Sequence, residues 1–324
     1  MNPNYLTMEA KNSEIQDSIL LKMPDRPIYE IMEKLNFRDI QVLRKVCRDL
    51  QNFIDDSRIL GTLSTMKIIH FLEKITVVYD GKYSISYQAQ PEGCLVEYQN
   101  KLKIFKNSKL LKIFMNDLKL ILGPRRDFEL QLLAIYPNGV ESQNFFKKFQ
   151  KILSSRPRPF RVETFTISAN SQDDILKILP YLDQYKLKNI RIFNGGSSEI
   201  FEIDEIVKLE QWKMAEKVTV QPMIREEYLK EFSHFKDVLA TLKEVKSQDS
   251  IELKNSFLSS SNMEQFLFTY SKINDDQNFL FRKNRYFKIP NSEDVLSIRY
   301  NPVNKFINFR RLKIEEVPPN KVVE

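Results

Sequence analysis

The stretch Leu130-Gln131-Leu132-Leu133-Ala134-Ile135 decides how this chain is read. Its apolar residues fall at Leu130, Leu133 and Ile135, a Φ-x-x-Φ-x-Φ pattern whose last three positions alternate. Such alternation puts residues 133 and 135 on one buried face of a strand. The pattern returns as Val162/Phe165/Ile167, Leu187/Ile190/Ile192, Ala215/Val218/Val220, Phe235/Val238/Ala240 and Met263/Phe266/Phe268. The starts are 130, 162, 187, 215, 235 and 263, so the intervals are 32, 25, 28, 20 and 28 residues.

Several intervals carry a helical stripe: Phe145, Phe146, Phe149, Ile152 and Leu153, then Ile175, Leu176, Ile178, Leu179 and Leu182. Ile203, Ile206, Val207 and Leu209 make a looser third, with Trp212 next. Strand and helix alternating at this period predict an α/β solenoid similar to leucine-rich repeats, its parallel strands lining the concave side. The ragged period also permits an ordinary open α/β sheet.

Outward from the repeat the pattern changes. Residues 75–87 carry Asp80-Gly81 between β-rich runs, a strong hairpin signal. Cys94–Tyr98 and Leu102–Phe105 suggest a second β pair, and residues 109–122 a helix stopped by Gly123-Pro124. After residue 276, Phe279/Phe281 and Tyr286/Phe287/Ile289 flank Lys283-Asn284, while Val295/Ile298 and Phe306/Phe309 flank Asn301-Pro302. Two hairpins there would cap the open end of a solenoid.

Residues 1–20 are polar and are expected to be mobile. Beyond them Ile28, Ile31, Met32 and Leu35 fall at i, i+3, i+4 and i+7, with Asp25 as a cap and Pro27 in the first turn. Asp39 offers a second cap before Ile40, Leu43, Val46, Cys47, Leu50, Phe53 and Ile54. Two or three short amphipathic helices over roughly 24–56 follow, a unit too small to bury its apolar faces alone.

Met23-Pro24, Ile31, Leu35, Asp39 and the run Leu43-Arg44-Lys45-Val46-Cys47-Arg48 resemble the F-box over about 40 residues. Leu50 stands where many F-boxes carry Trp. The resemblance implies docking to a Skp-type adaptor, and through it to a cullin, by Met23, Pro24, Ile28, Ile31, Leu35, Leu43, Val46 and Leu50. An amphipathic helical unit laid into a hydrophobic groove is a common mode of recognition.

The phrases Ile152-Leu153-Ser154-Ser155-Arg156-Pro157, Ile178-Leu179-Pro180-Tyr181-Leu182, Leu209-Glu210-Gln211-Trp212-Lys213-Met214-Ala215 and Tyr286-Phe287-Lys288-Ile289-Pro290-Asn291-Ser292 resemble the FTH domain. That domain follows the F-box in a nematode-expanded family, the F-box A family, whose members are regarded as substrate receptors. The likeness runs over most of residues 65–315 and carries over no individual ligand-binding residue.

Composition narrows the alternatives. The net charge of +7 comes from 50 basic and 43 acidic residues mixed along the chain, with only short clusters such as Lys147-Lys148, Arg125-Arg126 and Arg310-Arg311. A nucleic-acid binder more often concentrates its charge on one face or tail. The N-terminal residues lack the basic-then-apolar order of a signal peptide. No apolar run approaches the about 20 residues needed to span a bilayer.

Catalysis is not expected. Cys47, Cys94, His70 and His234 are too few for a zinc-bearing ligase module, and neither Cys has a His nearby in sequence. No phosphate loop, dinucleotide fingerprint, zinc-protease helix or nucleophile elbow occurs. Asn194-Gly195-Gly196 reads as a tight turn, and Asp173-Asp174 and Glu226-Glu227 as helix-start acids.

The expected organisation is a tail (1–20), an all-α F-box (21–60), a β-hairpin and helix connector (61–124), an FTH α/β repeat (125–275) and a β cap (276–324). The expected function is a non-enzymatic adaptor of a Skp–cullin–F-box ubiquitin ligase, cytoplasmic or nuclear, with no cofactor, no metal, no membrane partner and an unidentified protein target. The alternatives are a protein-binding solenoid acting outside a ligase, and a basic solenoid that binds nucleic acid.

Overall fold

The computed structural model describes residues 23–44, 46–57, 61–99, 101–122, 129–138, 142–196, 199–274, 284–319 and 321–324. The expected tail, the Gly123-Pro124 stop and the Phe279/Phe281 strand lie outside them. Two compact units divide between Leu63 and Ser64.

The first unit has three helices, α1 (Asp25–Glu33), α2 (Phe37–Leu43) and α3 (Arg48–Ser57). Its core is Ile28, Met32, Ile40, Leu50 and Ile54, with Met23, Leu35, Leu43, Cys47 and Phe53 partly buried around it. The caps differ from expectation. Pro24 holds the cap position of α1, so Asp25 sits inside the first turn and makes no cap bond. Asn36, not Asp39, caps α2: its side chain accepts the Asp39 N–H at 3.0 Å, and its amide donates to the Asp39 carboxylate at 2.6 Å. Cys47 Sγ accepts the Leu50 N–H at 3.5 Å at the start of α3. Arg44 grips Asp55 with two bonds of 2.7 and 2.9 Å, tying the end of α2 to α3. Thr62 then bonds back to the α1–α2 corner, its N–H to Leu35 and its carbonyl to Phe37. Gly61 permits this with φ +73°; a Cβ there would lie 2.6 Å from Asn36 and Leu35 backbone atoms.

The second unit is one fourteen-stranded mixed sheet. Its antiparallel start is β1 (Thr65–Phe71), β2 (Lys74–Tyr79), β3 (Tyr83–Gln90), β4 (Gly93–Tyr98) and β5 (Lys101–Lys106), followed by helix α4 (Leu110–Leu122). Positive φ at Asp80 and Gly81 closes the β2–β3 hairpin. Asp80 also accepts the Ser64 and Thr65 N–H groups, each at 2.8 Å.

Six strands then follow in sequence order, all parallel: β6 (Glu129–Asn138), β7 (Arg161–Ala169), β8 (Asn189–Asn194), β9 (Lys217–Ile224), β10 (Asp237–Lys246) and β11 (Gln265–Asn274). All eighteen apolar positions of the six repeats are 3 % exposed or less. The links hold α5 (Ser142–Ser154), α6 (Gln172–Leu176), α7 (Glu210–Met214) and α8 (Ser247–Ser259). Only α5 and α8 are full helices. The stripe expected over 175–182 breaks after α6 into a single 3-10 turn at Leu179–Tyr181, where Pro180 sits. The stripe at 203–209 forms turns, though Ile203 and Ile206 are fully buried. Crossovers between adjacent parallel strands are right-handed as a rule, which puts successive links on one face. Ring contacts place α5 and α8 on one face, His70 meeting Phe145 on α5 and Phe266 meeting Phe257 on α8.

β12 (Arg285–Lys288), β13 (Asp294–Asn301) and β14 (Phe306–Lys313) continue the sheet, β14 running antiparallel to β11. β12 pairs antiparallel with β13. β1, unforeseen in the sequence, lies parallel to β6 and joins the hairpins to the repeats. The sheet therefore runs unbroken through the expected connector, repeat and cap.

Candidate partner-binding surfaces

The helical unit sorts its apolar residues into two sets. Ile28 and Leu50, expected at a docking surface, are 4 % and 3 % exposed and belong to the unit's own core. Met23, Leu35 and Leu43 are half-buried against that core. Pro24, Ile31 and Val46 are exposed, Ile31 to 43 % and Val46 to 64 %. Tyr29 and Val42, which sequence reading did not single out, are exposed as well. Helical spacing marks apolar positions without saying which the unit's own core will use. Three short helices have too little interior for all of them.

In the sheet unit, the face away from the helices carries a row fixed by register. Lys67, Ala134, Thr166, Arg191, Thr219, Leu239 and Leu267 lie side by side across seven strands. The next row holds Ile69, Tyr136, Ser168 and Phe193. The Tyr136 and Phe193 rings are half-buried with centroids 6.5 Å apart, and the Lys67 ammonium stands 5.1 Å over the Tyr136 ring. Burial pushes the Tyr136 phenol up, and Arg191 pulls it down. The phenol stays neutral at pH 7 and remains a hydrogen-bond donor. The surface is thus mixed: an aromatic pair flanked by Lys67 and Arg191, with Leu239 38 % exposed beyond.

Where the parallel strands begin, charges are paired. Glu216 bridges Lys188 at 2.7 Å and Lys236 at 2.8 Å, and Lys217 meets Asp237. The two lysines hold the Glu216 carboxyl down at about 2.

The remaining chemical candidates are committed to structure. Cys94 is buried, which pushes its thiol up. His70 is 2 % exposed and stacked on Phe145. His234 meets the Trp212 carbonyl at 2.9 Å and lies against Phe235. Among the described residues no three His, Cys, Asp or Glu side chains are placed to hold a metal ion, and no helix is long and apolar enough to cross a membrane. Asn194-Gly195-Gly196 forms the expected turn, Asn194 Oδ1 accepting the Gly196 N–H at 2.8 Å.

The phrases that carry the FTH likeness are structural. Gln211 donates to the carbonyls of Pro180 and Leu182 at 3.2 and 2.8 Å. Trp212 donates to Glu231 and packs edge-on to Phe232 and Phe235. Arg156 donates to the Leu122 carbonyl and lies over Phe160.

Comparison with known families matches residues 20–61 to the F-box domain and residues 143–291 to the FTH domain. The searches of curated proteins and of solved structures returned no match. The first match coincides with the three-helix unit, and the second runs from α5 to just beyond β12. The chain is an F-box protein with an FTH domain.

Proposed function

We propose that this protein is a substrate-recruiting adaptor of a Skp–cullin–F-box ubiquitin ligase, without catalytic residues of its own and acting in the cytoplasm or nucleus. The observation that carries the reading is the helical unit, which closes a small core yet leaves Tyr29, Ile31, Val42 and Val46 at its surface. Apolar side chains kept outside a core that could not hold them suit an apolar groove on a partner. The docking set narrows to Pro24, Ile31 and Val46, joined by Tyr29 and Val42, with Met23, Leu35 and Leu43 at its margin. Ile28 and Leu50 act from within, by holding the helices.

The target is held by the FTH part. Parallel strands stacked in sequence order support a solenoid-like scaffold, in which each repeat rests on its neighbours. Its helix-free face, with Arg191, Phe193, Thr219 and Leu239, is the recognition surface. A polynucleotide is disfavoured there, because the Tyr136 and Phe193 rings pack against each other instead of standing free to stack on bases.

The test is co-purification of the full chain with a Skp adaptor and a cullin, beside a Pro24→Ala/Ile31→Glu variant. Both sites are exposed, so the variant stays folded. Capture of both partners by the unmutated chain and loss in the variant is the expected result. Skp capture that survives in the variant would overturn the docking face; Skp without cullin would favour a binding protein outside a ligase.

A further inference from the structure

The two outer edges of the sheet differ. At β12 the edge is occupied by the chain's own last residues. Lys288 N–H donates to the Glu324 carbonyl at 2.9 Å, Glu324 N–H donates to the Tyr286 carbonyl at 2.8 Å, and Arg285 pairs with the Glu324 carboxylate. Val323 packs beside Tyr286, Val295 and Leu312. An extended segment with one apolar and one acidic side chain thus closes that edge. At the other end β5 is the last strand in the order, paired only with β4 among the described residues.

The side chains of β5 are sorted by face. Register with β4 sets Leu102 opposite Glu97 and Ile104 opposite Leu95. Leu102 and Ile104 are 64 % and 51 % exposed. The alternate residues, Lys101, Lys103 and Phe105, share a face with buried Cys94, and the Lys103 ammonium stands 4.8 Å over the Phe105 ring. β5 thus shows an apolar pair on one face, with Lys106 at its end, a lysine pair on the other and, among the described residues, an unpaired backbone edge between them. Lysines on an edge strand discourage indiscriminate pairing. They also select, because opposite charges across a strand pair stabilise it and like charges destabilise it.

We propose that the β5 edge is a strand-addition site for an extended peptide in which acidic and apolar residues alternate. The apolar residues would lie over Leu102 and Ile104, and the acidic ones beside Lys101 and Lys103. The added strand gains main-chain hydrogen bonds, and the alternation gives specificity. A second copy of this chain is a poor occupant, since β5 carries three lysines and no acidic residue in six and would bring like charges together when paired with itself. The site lies outside both matched segments, 20–61 and 143–291. It stands whether or not the protein serves a ligase.

The probe is a dye-labelled, end-capped hexapeptide of alternating Glu and Val, titrated into the full chain and followed by anisotropy. Its Lys/Val counterpart is the control. The unmutated chain should bind the Glu/Val peptide, binding should fall with added salt, and the control should bind at least about tenfold more weakly. Lys101→Glu/Lys103→Glu, at exposed sites, should reverse the preference while the melting curve holds. Hydrogen exchange in β5 should slow only when the preferred peptide is present. No binding, equal binding of both peptides, or an unchanged preference in the charge-reversed chain would overturn the proposal. Self-association through β5 would overturn it in favour of a second copy.

Discussion

Ile28 and Ile31 sit on one short helix and differ about tenfold in exposure, 4 % against 43 %. In the sheet unit no such split occurs among the repeat positions, where Leu133, Ile135, Phe165 and Ile192 are all fully buried. The larger unit has an interior that grows with every strand and helix added, so the apolar positions of its repeats are accounted for by its own folding. The smaller one has more apolar residues than interior. An apolar residue at one of the eighteen repeat positions therefore says little about partners, whereas a surplus one in the helical unit points to something outside the chain.

The first way to break this comparison is to remove a residue that serves only folding. Trp212 is 1 % exposed, packed against Phe232 and Phe235, with its N–H satisfied by Glu231. Trp212→Ala should cost about 3–5 kcal/mol. With two units present, the melt is followed for separate transitions. The loss belongs to the larger unit's transition. Ile28→Ala should cost the smaller unit about 2–4 kcal/mol, while Ile31→Ala stays within about 0.5 kcal/mol. Equal losses at 28 and 31 would remove the basis for a surplus docking set. Gly61→Ala comes next: positive φ and a backbone 2.6 Å away make the substitution costly, about 1–3 kcal/mol by chemical denaturation, where an open turn would tolerate it.

The same contrast governs what the sequence made legible. In the repeats each strand carries its own three apolar positions, and register follows from alternation, so local pattern and long-range pairing agree. The F-box order of residues was equally local. Links between strands were not, because apolar spacing cannot separate a helix from a buried turn. Ile203 and Ile206 are fully buried without a helix, held where the Phe201 N–H reaches the Met223 carbonyl. α8 was missed for the opposite reason: among thirteen residues it buries only Ser250, Leu253 and Phe257, too thin a stripe to see. Of the candidate surfaces, Pro24, Ile31 and Val46 were visible. The exposure of Tyr29 and Val42, and the helix-free row through Lys67 and Arg191, depended on which face the other elements cover.

The smallest expected effect sharpens the comparison by charge. Glu216, shared by Lys188 and Lys236, has its folded pKa held at about 2 against an ordinary 4.5. A depressed carboxyl contributes stability that is present above the unfolded pKa and is lost as pH falls through the folded one. The window is therefore pH 4.5 down to 2. The side chain is about a third exposed, so solvent screening leaves at most about 1 kcal/mol. Glu216→Gln should remove that part of the acid sensitivity from the sheet unit's transition, leave the helical unit's unchanged, and matter less at high salt. The ladder ties β8, β9 and β10 to one another, whereas Lys67 and Arg191 on the helix-free face are ion-paired to nothing among the described residues. If Glu216→Gln left the acid limb of the sheet unit untouched, the ladder would be ornamental, and the contrast between ion-paired charge at the strand starts and charge on the open face that has no ion pair among the described residues would lose its energetic meaning.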